Sequence, residues 1–317
     1  MKEINILYTV DNNYVKYMMV SLLSLLENNK IFKRINIHII YDNLDKDNFK
    51  RIEFITNNYD NCNIYFYKYN ENYNVYQGTI PKWRGTSIAN ARLFYNCYVK
   101  NVDNILYLDS DTLIVNSLDN LPKSNVPVTA CLDHLSKKYW SNLDSSLVKY
   151  CNSGVLWINS NEWDNYNCNE KIQGTIDKEL SLTYPDQDIL NIALSENIEV
   201  LPLNYNVFPI EYYYDFNSLM RFYKINEIDF YNKDEVKDAI NNPIILHLLD
   251  IQGKRPWQKN NIHPFNKEFD KYYYQLFDKK ESSLNQGYSE YLIKLMDYLR
   301  IYVPKEIKDE VKKLVRK

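Results

Sequence analysis

Ile4-Asn5-Ile6-Leu7-Tyr8-Thr9-Val10-Asp11-Asn12-Asn13-Tyr14-Val15-Lys16-Tyr17-Met18-Met19 is the stretch on which the fold turns. Residues 4–10 form a nearly unbroken apolar run of strand length, which fits a strand buried on both faces. A polar turn follows, and then residues 14–28 carry Val15, Met18, Met19, Leu22 and Leu26 at helical spacing. Strand, short turn and amphipathic helix make the opening of an α/β fold. Outward from it, strand patterns are expected at residues 35–41, 64–69, 104–108, 112–115, 128–132, 154–159 and 244–249. Helical patterns lie between them, around residues 48–57, 87–99 and 186–196. This alternation implies a Rossmann-like, mostly parallel sheet with flanking helices, whose ligands bind beyond the carboxyl ends of the strands.

A chain of 317 residues can bury a sizeable core, and 45% hydrophobic with 25% charged residues lies in the ordinary globular range. The formal net charge of -3 offers nucleic acid no global attraction, so no nucleic-acid partner is expected. Five cysteines (Cys62, Cys97, Cys131, Cys151, Cys168) without a CxxC pair favour buried free thiols in a reducing, cytoplasmic compartment over disulfides or a zinc knuckle. No window approaches the roughly 20 apolar residues that span a bilayer, and the first ten residues lack a signal peptide's apolar stretch.

Chemistry concentrates at Asp109-Ser110-Asp111, which separates the apolar runs at 105–108 and 112–115. Two carboxylates two apart in extended chain would point the same way and reach one divalent cation. The same spacing occurs at Asp45-Lys46-Asp47 and Asp186-Gln187-Asp188, but there polar context and a helix start account for it. Asp109 and Asp111 interrupt apolar segments, where unpaired carboxylates are costly unless a cation neutralises them. Arg92 lies in the apolar stretch Ala89, Ala91, Leu93, Phe94 and needs an anionic partner, either a ligand or a structural salt bridge. His247, after an apolar strand, reads on its own as a core residue more readily than as a ligand.

Taken together and in order, several segments resemble glycosyltransferase family 8. They are residues 6–14, Ala91-Arg92-Leu93-Phe94, Tyr107-Leu108-Asp109-Ser110-Asp111, residues 152–159, Pro185-Asp186-Gln187-Asp188-Ile189-Leu190-Asn191, and His247 ahead of Lys254-Arg255-Pro256-Trp257. The resemblance covers about the first 260 residues and implies a GT-A nucleotide-sugar-binding fold. It further implies retaining transfer of a hexose from UDP-glucose or UDP-galactose to a glycan or glycolipid acceptor such as lipopolysaccharide or capsule. Mn²⁺, with Mg²⁺ as a substitute, would be held by Asp109, Asp111 and His247. Thr9, Asp11, Asn12 and Tyr14 would line the uridine turn, Arg92 and Ser110 would face the donor, and Asn152, Asp133 and Asp186 would meet donor-sugar hydroxyls. Gln187 would lie under the anomeric carbon. An amide is a poor nucleophile, so front-face displacement is expected in place of a covalent intermediate. The chain departs from the family where Arg255 rather than Lys precedes Pro256-Trp257, eight residues after His247, so either Lys254 or Arg255 would hold the diphosphate, Lys254 being preferred.

The expected division is a transferase domain over 1–266 and a helical, basic and aromatic tail over 267–317. Between Tyr291 and Lys317 eight Lys or Arg stand against four Asp or Glu, interleaved with Tyr291, Leu292, Leu295, Tyr298, Leu299 and Tyr302. Such a segment fits peripheral contact with the inner face of the cytoplasmic membrane, and equally a helix packed on the domain. Two further readings are self-glycosylation in the manner of glycogenin and a silent nucleotide-sugar-binding protein. A nucleotidyltransferase would want a Gly-rich loop after the first strand, and Asp11-Asn12-Asn13 has no Gly.

Overall fold

The structure, a computed structural model, describes residues 3–69, 80–82, 85–251, 254–259 and 263–280. Nine strands form among them: β1 (Glu3–Asp11), β2 (Arg34–Asp42), β3 (Cys62–Lys68), β4 (Asn104–Leu108), β5 (Thr112–Ile114), β6 (Val128–Leu132), β7 (Cys151–Asn159), β8 (Ile198–Val200) and β9 (Ile245–His247). Seven make one sheet in the order β3-β2-β1-β4-β7-β6-β8, and β5 pairs with β9 in a separate two-stranded ribbon. Neighbours are parallel except at β7, which runs antiparallel to both β4 and β6. The mostly parallel sheet with flanking helices is therefore as the sequence leads one to expect. Its fully apolar centre, Ile6, Leu7, Tyr8, Ile105, Leu106 and Tyr107, is buried on both faces.

Polar side chains inside the parallel strands are there to fix alignment. Asn5, Asn36 and Asn63 sit in register on β1, β2 and β3. Asn63 donates to Asn36 Oδ1 at 3.0 Å, Asn36 donates to Asn5 Oδ1 at 3.0 Å, and Asn5 donates to the Asn104 carbonyl at 3.1 Å. A slip by one residue would break every rung and turn the apolar face outward.

Ten α-helices accompany the strands: α1 (Val15–Asn28), α2 (Lys46–Thr56), α3 (Lys137–Leu143), α4 (Ser160–Asn165), α5 (Cys168–Ile176), α6 (Pro185–Leu194), α7 (Pro209–Tyr213), α8 (Phe216–Tyr223), α9 (Lys233–Asn241) and α10 (Asn266–Leu276). Asp45 takes the N-cap position of α2 and Asp47 its first turn, the ordinary helix-start role. Asn28 ends α1 by donating to the carbonyls of Ser24 and Ile114 and to the Tyr272 hydroxyl, tying helix, ribbon and α10 together.

Three expectations need correction, and one strand carries no sequence signal. Residues 87–99 do not form an α-helix: Ile88–Cys97 is 3-10 and breaks at Phe94, with φ -128 and ψ 31. Here Arg92 Nε donates to the Ala89 carbonyl at 2.9 Å, so a side chain takes a backbone acceptor that an α-helical ladder would use. Residues 112–115 leave the main sheet to pair with β9. Strand β8 lacks a distinct pattern, since Glu199 and Val200 are exposed and only Ile198 is buried. Finally, Asp109-Ser110-Asp111 is a turn and not extended chain, closed by Thr112 N donating to the Asp109 carbonyl at 3.2 Å. The five cysteines are free thiols. Among the described residues no helix is long and apolar enough to cross a membrane.

The boundary expected at residue 267 falls within α10, which buries Phe269, Tyr272 and Tyr273 in the main core. The remainder of the tail, residues 281–317, lies outside the described residues, as does Arg84, a looser candidate near Arg92.

Candidate active site

Strand order reverses at β1, with β2 on one side and β4 on the other, and at this switch point an α/β sheet opens a crevice. Register places Tyr8 opposite Leu108, so the turns after β1 and β4 open side by side. Ser110 Oγ donates to the Thr9 carbonyl at 3.0 Å, and Thr9 Oγ1 meets the Tyr107 hydroxyl at 3.0 Å. Asp11 Oδ1 accepts from Asn13 N at 3.0 Å and from Tyr14 N at 3.2 Å, the work of a turn cap. Asn12 Oδ1 accepts from Asp45 N and Asn48 Nδ2, docking this turn on α2.

After the Asp109–Asp111 turn, β5 carries the chain into the ribbon, where Thr112 pairs with His247. The ribbon thus brings together residues far apart in sequence. Nε2 of His247 lies 3.4 Å from Asp111 Oδ1 and 3.7 Å from Asp109 Oδ2. The remaining carboxylate oxygens are held elsewhere: Asp109 Oδ1 by Arg92 Nη2 at 2.8 Å and the Tyr107 hydroxyl at 2.7 Å, Asp111 Oδ2 by Arg255 Nη1 at 2.6 Å. Burial pushes the Tyr107 phenol well above its ordinary pKa and keeps its proton on as a donor. One oxygen of each Asp is therefore fixed by a protein donor while the other faces the imidazole.

Those three groups fit a divalent cation. His247 Nε2 is buried and has no hydrogen-bond partner, and two hard oxygens with one imidazole suit a Mn²⁺-type ion. The approach is close enough to dictate sequence: a Cβ on Gly154 would stand 2.3 Å from His247 Cε1 and 2.8 Å from Asp109 Oδ2.

Beside the cluster lies a polar wall. Buried Arg92 donates to the Ser153 carbonyl at 2.7 Å, pairs with Asp186 at 3.3 Å as well as with Asp109, and lies 4.4 Å from the centre of the Tyr107 ring. Its anionic partners are thus two site carboxylates. Ser153 Oγ donates to Asp186 Oδ2 at 3.0 Å, taking the serine proton into the same group. Gln187 Oε1 accepts from Ser153 N at 3.0 Å and Asn152 Nδ2 at 3.1 Å, and Gln187 Nε2 donates to Asp133 Oδ2 at 3.2 Å. Asp133 Oδ2 accepts from Asn152 Nδ2 as well, at 2.9 Å. Asp186, Gln187 and Asp188 share the first turn of α6, where Pro185 opens the helix. Asp188 turns away from the others. Its carboxylate accepts from the Tyr139 and Tyr150 hydroxyls and from Thr183 N and Tyr184 N, and burial raises its pKa above the ordinary value. It holds α3 and α6 together.

The model of glycosyl transferase family 8 matches residues 5–261. The chain belongs to that family. Among curated relatives, a putative glycosyltransferase of Haemophilus influenzae is 28% identical over 66% of this chain and 65% of its own length. A lipopolysaccharide 1,2-glucosyltransferase of Escherichia coli is 30% identical over 64% of this chain and 62% of its own. The match thus spans a little under two thirds of each relative. Among solved structures, the galactosyltransferase LgtC, in complex with donor and acceptor sugar analogs, superposes with a TM-score of 0.68 at 21% identity, over 88% of this chain and 98% of that one. The fold is that of a GT-A glycosyltransferase.

Within this family 8 chain, geometry adds residues that spacing does not single out. Lys254 closes a small turn with Ile251, each backbone N–H donating to the other's carbonyl, and it is the next residue, Arg255, whose guanidinium reaches Asp111 and the Leu248 carbonyl. Asn206, Ser153 and Tyr107 touch the expected site residues directly. Tyr107 is partly legible, since a Tyr two residues before Asp109 in a strand points to the same side. Asn206 follows a 3-10 turn, Leu203–Tyr205, and no periodic pattern marks it.

Proposed function

We propose that this protein is a retaining hexosyltransferase that moves glucose or galactose from a UDP-sugar to a glycan or glycolipid acceptor, such as lipopolysaccharide or capsule, on the cytoplasmic face of a membrane. The observation that carries the reading is the bare Nε2 of buried His247 facing one oxygen each of Asp109 and Asp111, next to the Asp133–Asn152–Gln187 wall. Family membership and the names of the curated relatives supply the substrate class.

In this reading Asp109, Asp111 and His247 hold Mn²⁺, or Mg²⁺ in its place. When bound, the ion is a Lewis acid that neutralises charge on the departing UDP. Thr9, Asp11, Asn12 and Tyr14 receive the uridine, Ser110 borders it, and Arg255, with Lys254 beside it, meets the diphosphate. Asn152, Asp133 and Asp186 hold the donor-sugar hydroxyls, with Arg92 fixing Asp186. Gln187 sits beneath the anomeric carbon, and both acceptor directions of its Oε1 are already taken by protein donors. An amide oxygen so committed is a poor nucleophile, which favours front-face displacement. The acceptor oxygen bonds to the anomeric carbon as the carbon–phosphate-oxygen bond breaks on the same face, and the acceptor's proton passes to a phosphate oxygen of UDP. The basic tail would carry the peripheral membrane contact.

The test is UDP release from a panel of UDP-sugars with and without Mn²⁺, comparing wild type with Asp111→Ala. Metal-dependent release from one hexose donor, reduced at least a hundredfold in the variant, is expected. Equal release by both proteins would overturn the assignment of the cluster.

A further inference from the structure

We propose that Asn206 is a positioning residue that locks the proton of His247 on Nδ1 and so keeps the metal-facing Nε2 bare, an inference that rests on the cation site proposed above. A neutral imidazole carries one N–H, and which nitrogen bears it is set by the partner of the other. Around His247 two forces oppose each other. The carboxylates of Asp111 and Asp109, 3.4 and 3.7 Å from Nε2, would attract a proton there, and an Nε2–H could not bind a cation. On the far side Asn206 Oδ1 lies 3.0 Å from Nδ1, a fully formed hydrogen bond, whereas Nε2 makes none.

The direction of that bond is not a matter of choice, because it is fixed through two amides by a backbone N–H. Gly154 N donates to Asn152 Oδ1 at 2.9 Å, and a peptide nitrogen can only donate. Asn152 therefore presents its oxygen to this side and its Nδ2 to the acceptors Asp133 Oδ2 and Gln187 Oε1. Facing that oxygen, Asn206 must offer Nδ2, at 2.9 Å, which turns Asn206 Oδ1 to His247. An acceptor at 3.0 Å requires the proton on Nδ1. Turning Asn152 over would set donor against donor at Gly154 and acceptor against acceptor at Asp133, and turning Asn206 over would set its oxygen against that of Asn152. Asn206 is fully buried and the neighbouring Val207 bridges Leu246 on β9, so the amide moves with the strand that bears His247. The donor-sugar wall and the metal ligand are thus one hydrogen-bonded unit, and partners of this kind on a ligating His typically govern metal affinity by roughly 10–100-fold.

Two variants separate this role from packing. Asn206→Leu keeps the branching and the number of side-chain heavy atoms and removes the acceptor; Asn206→Asp keeps the acceptor for Nδ1–H and gives up the donor to Asn152. Binding of Mn²⁺ in the presence of UDP is read by electron paramagnetic resonance, and the His247 tautomer is read by long-range ¹H–¹⁵N correlation in the metal-free protein, assigned with His247→Gln. Wild type and Asn206→Asp are expected to show Nδ1–H with affinities within about threefold of each other, and Asn206→Leu to populate Nε2–H and bind Mn²⁺ roughly 10–100-fold more weakly. Should Asn206→Leu fail to fold, an Nε2–H wild type, or an Nε2–H population in Asn206→Asp, sinks the proposal on its own. Unchanged Mn²⁺ affinity in a folded Asn206→Leu overturns it likewise. A wild type that binds no Mn²⁺ with UDP overturns the cation reading, while the tautomer measurement is independent of metal.

Discussion

At position 154 the backbone passes so close to His247 and Asp109 that only hydrogen fits. Neither obstacle is a freely moving chain end: the imidazole is pinned by Asn206 and the carboxylate by Arg92 and Tyr107. Gly154→Ala is therefore expected to cost about 1–3 kcal/mol of stability by overpacking, and to weaken Mn²⁺ binding at the proposed cation site at least tenfold by displacing two of the three proposed ligands. Chemical denaturation and metal titration of the same preparation measure both, and a variant with wild-type values for each would mean the strand relaxes without loss. The residue scale is also where legibility in sequence is most uneven. Asp109 and Asp111 stand out because charge inside apolar runs demands a reason. His247 needed family order, because one His at a strand end has many uses. Asn206 gives no signal, since an amide buried by tertiary structure looks in sequence like any turn asparagine.

Among the elements, β2 carries an acid-sensitive group away from the site. His38 is buried beside the rings of Tyr65 and Tyr67 of β3, its Nδ1 3.1 Å from the Tyr67 hydroxyl and its Nε2 without a partner. Burial lowers its pKa from 6.5 to about 4. A protonated His38 is thus disfavoured in the fold but free to form in the unfolded chain. Its contribution is whole above pH 6.5 and is lost as pH falls towards about 4. The loss between neutrality and about pH 5 should be about 2 kcal/mol, and His38→Gln should shrink the pH dependence of unfolding by that amount. An identical slope in the variant would show that the strand pair admits the charge. His263, also lowered to about 4 by burial, adds in the same direction. Elements were the most legible level where a pattern was local: β1, its turn and α1 follow from period alone. Partner choice was not. An apolar run at 112–115 says strand, but that it pairs with Ile245–His247 depends on contacts between segments far apart in the chain.

At the scale of the whole molecule, α10 packs into the main core. Phe269 packs near Trp257, which itself stacks on Tyr17 of α1 at 3.8 Å between ring centres, and the Tyr272 hydroxyl receives Asn28. Ending the chain after residue 266 strips these buried rings of their partners, each worth roughly 3–5 kcal/mol, and should leave an insoluble or unfolded product. Ending it after residue 283 should preserve the unfolding midpoint and UDP release while removing binding to anionic vesicles. Vesicle binding that persists in the shorter protein would locate the contact elsewhere. The two-stranded ribbon has a consequence for synthesis. Its strands are Thr112–Ile114 and Ile245–His247, so during translation the first aspartates are exposed long before their histidine leaves the ribosome. Until then they are a pair of carboxylates on an incomplete sheet with weak hold on any ion. At the proposed cation site, capture of a metal would thus wait for the late strand, and a metal-loaded chain would be one whose Ile245–His247 segment has already paired with Thr112–Ile114.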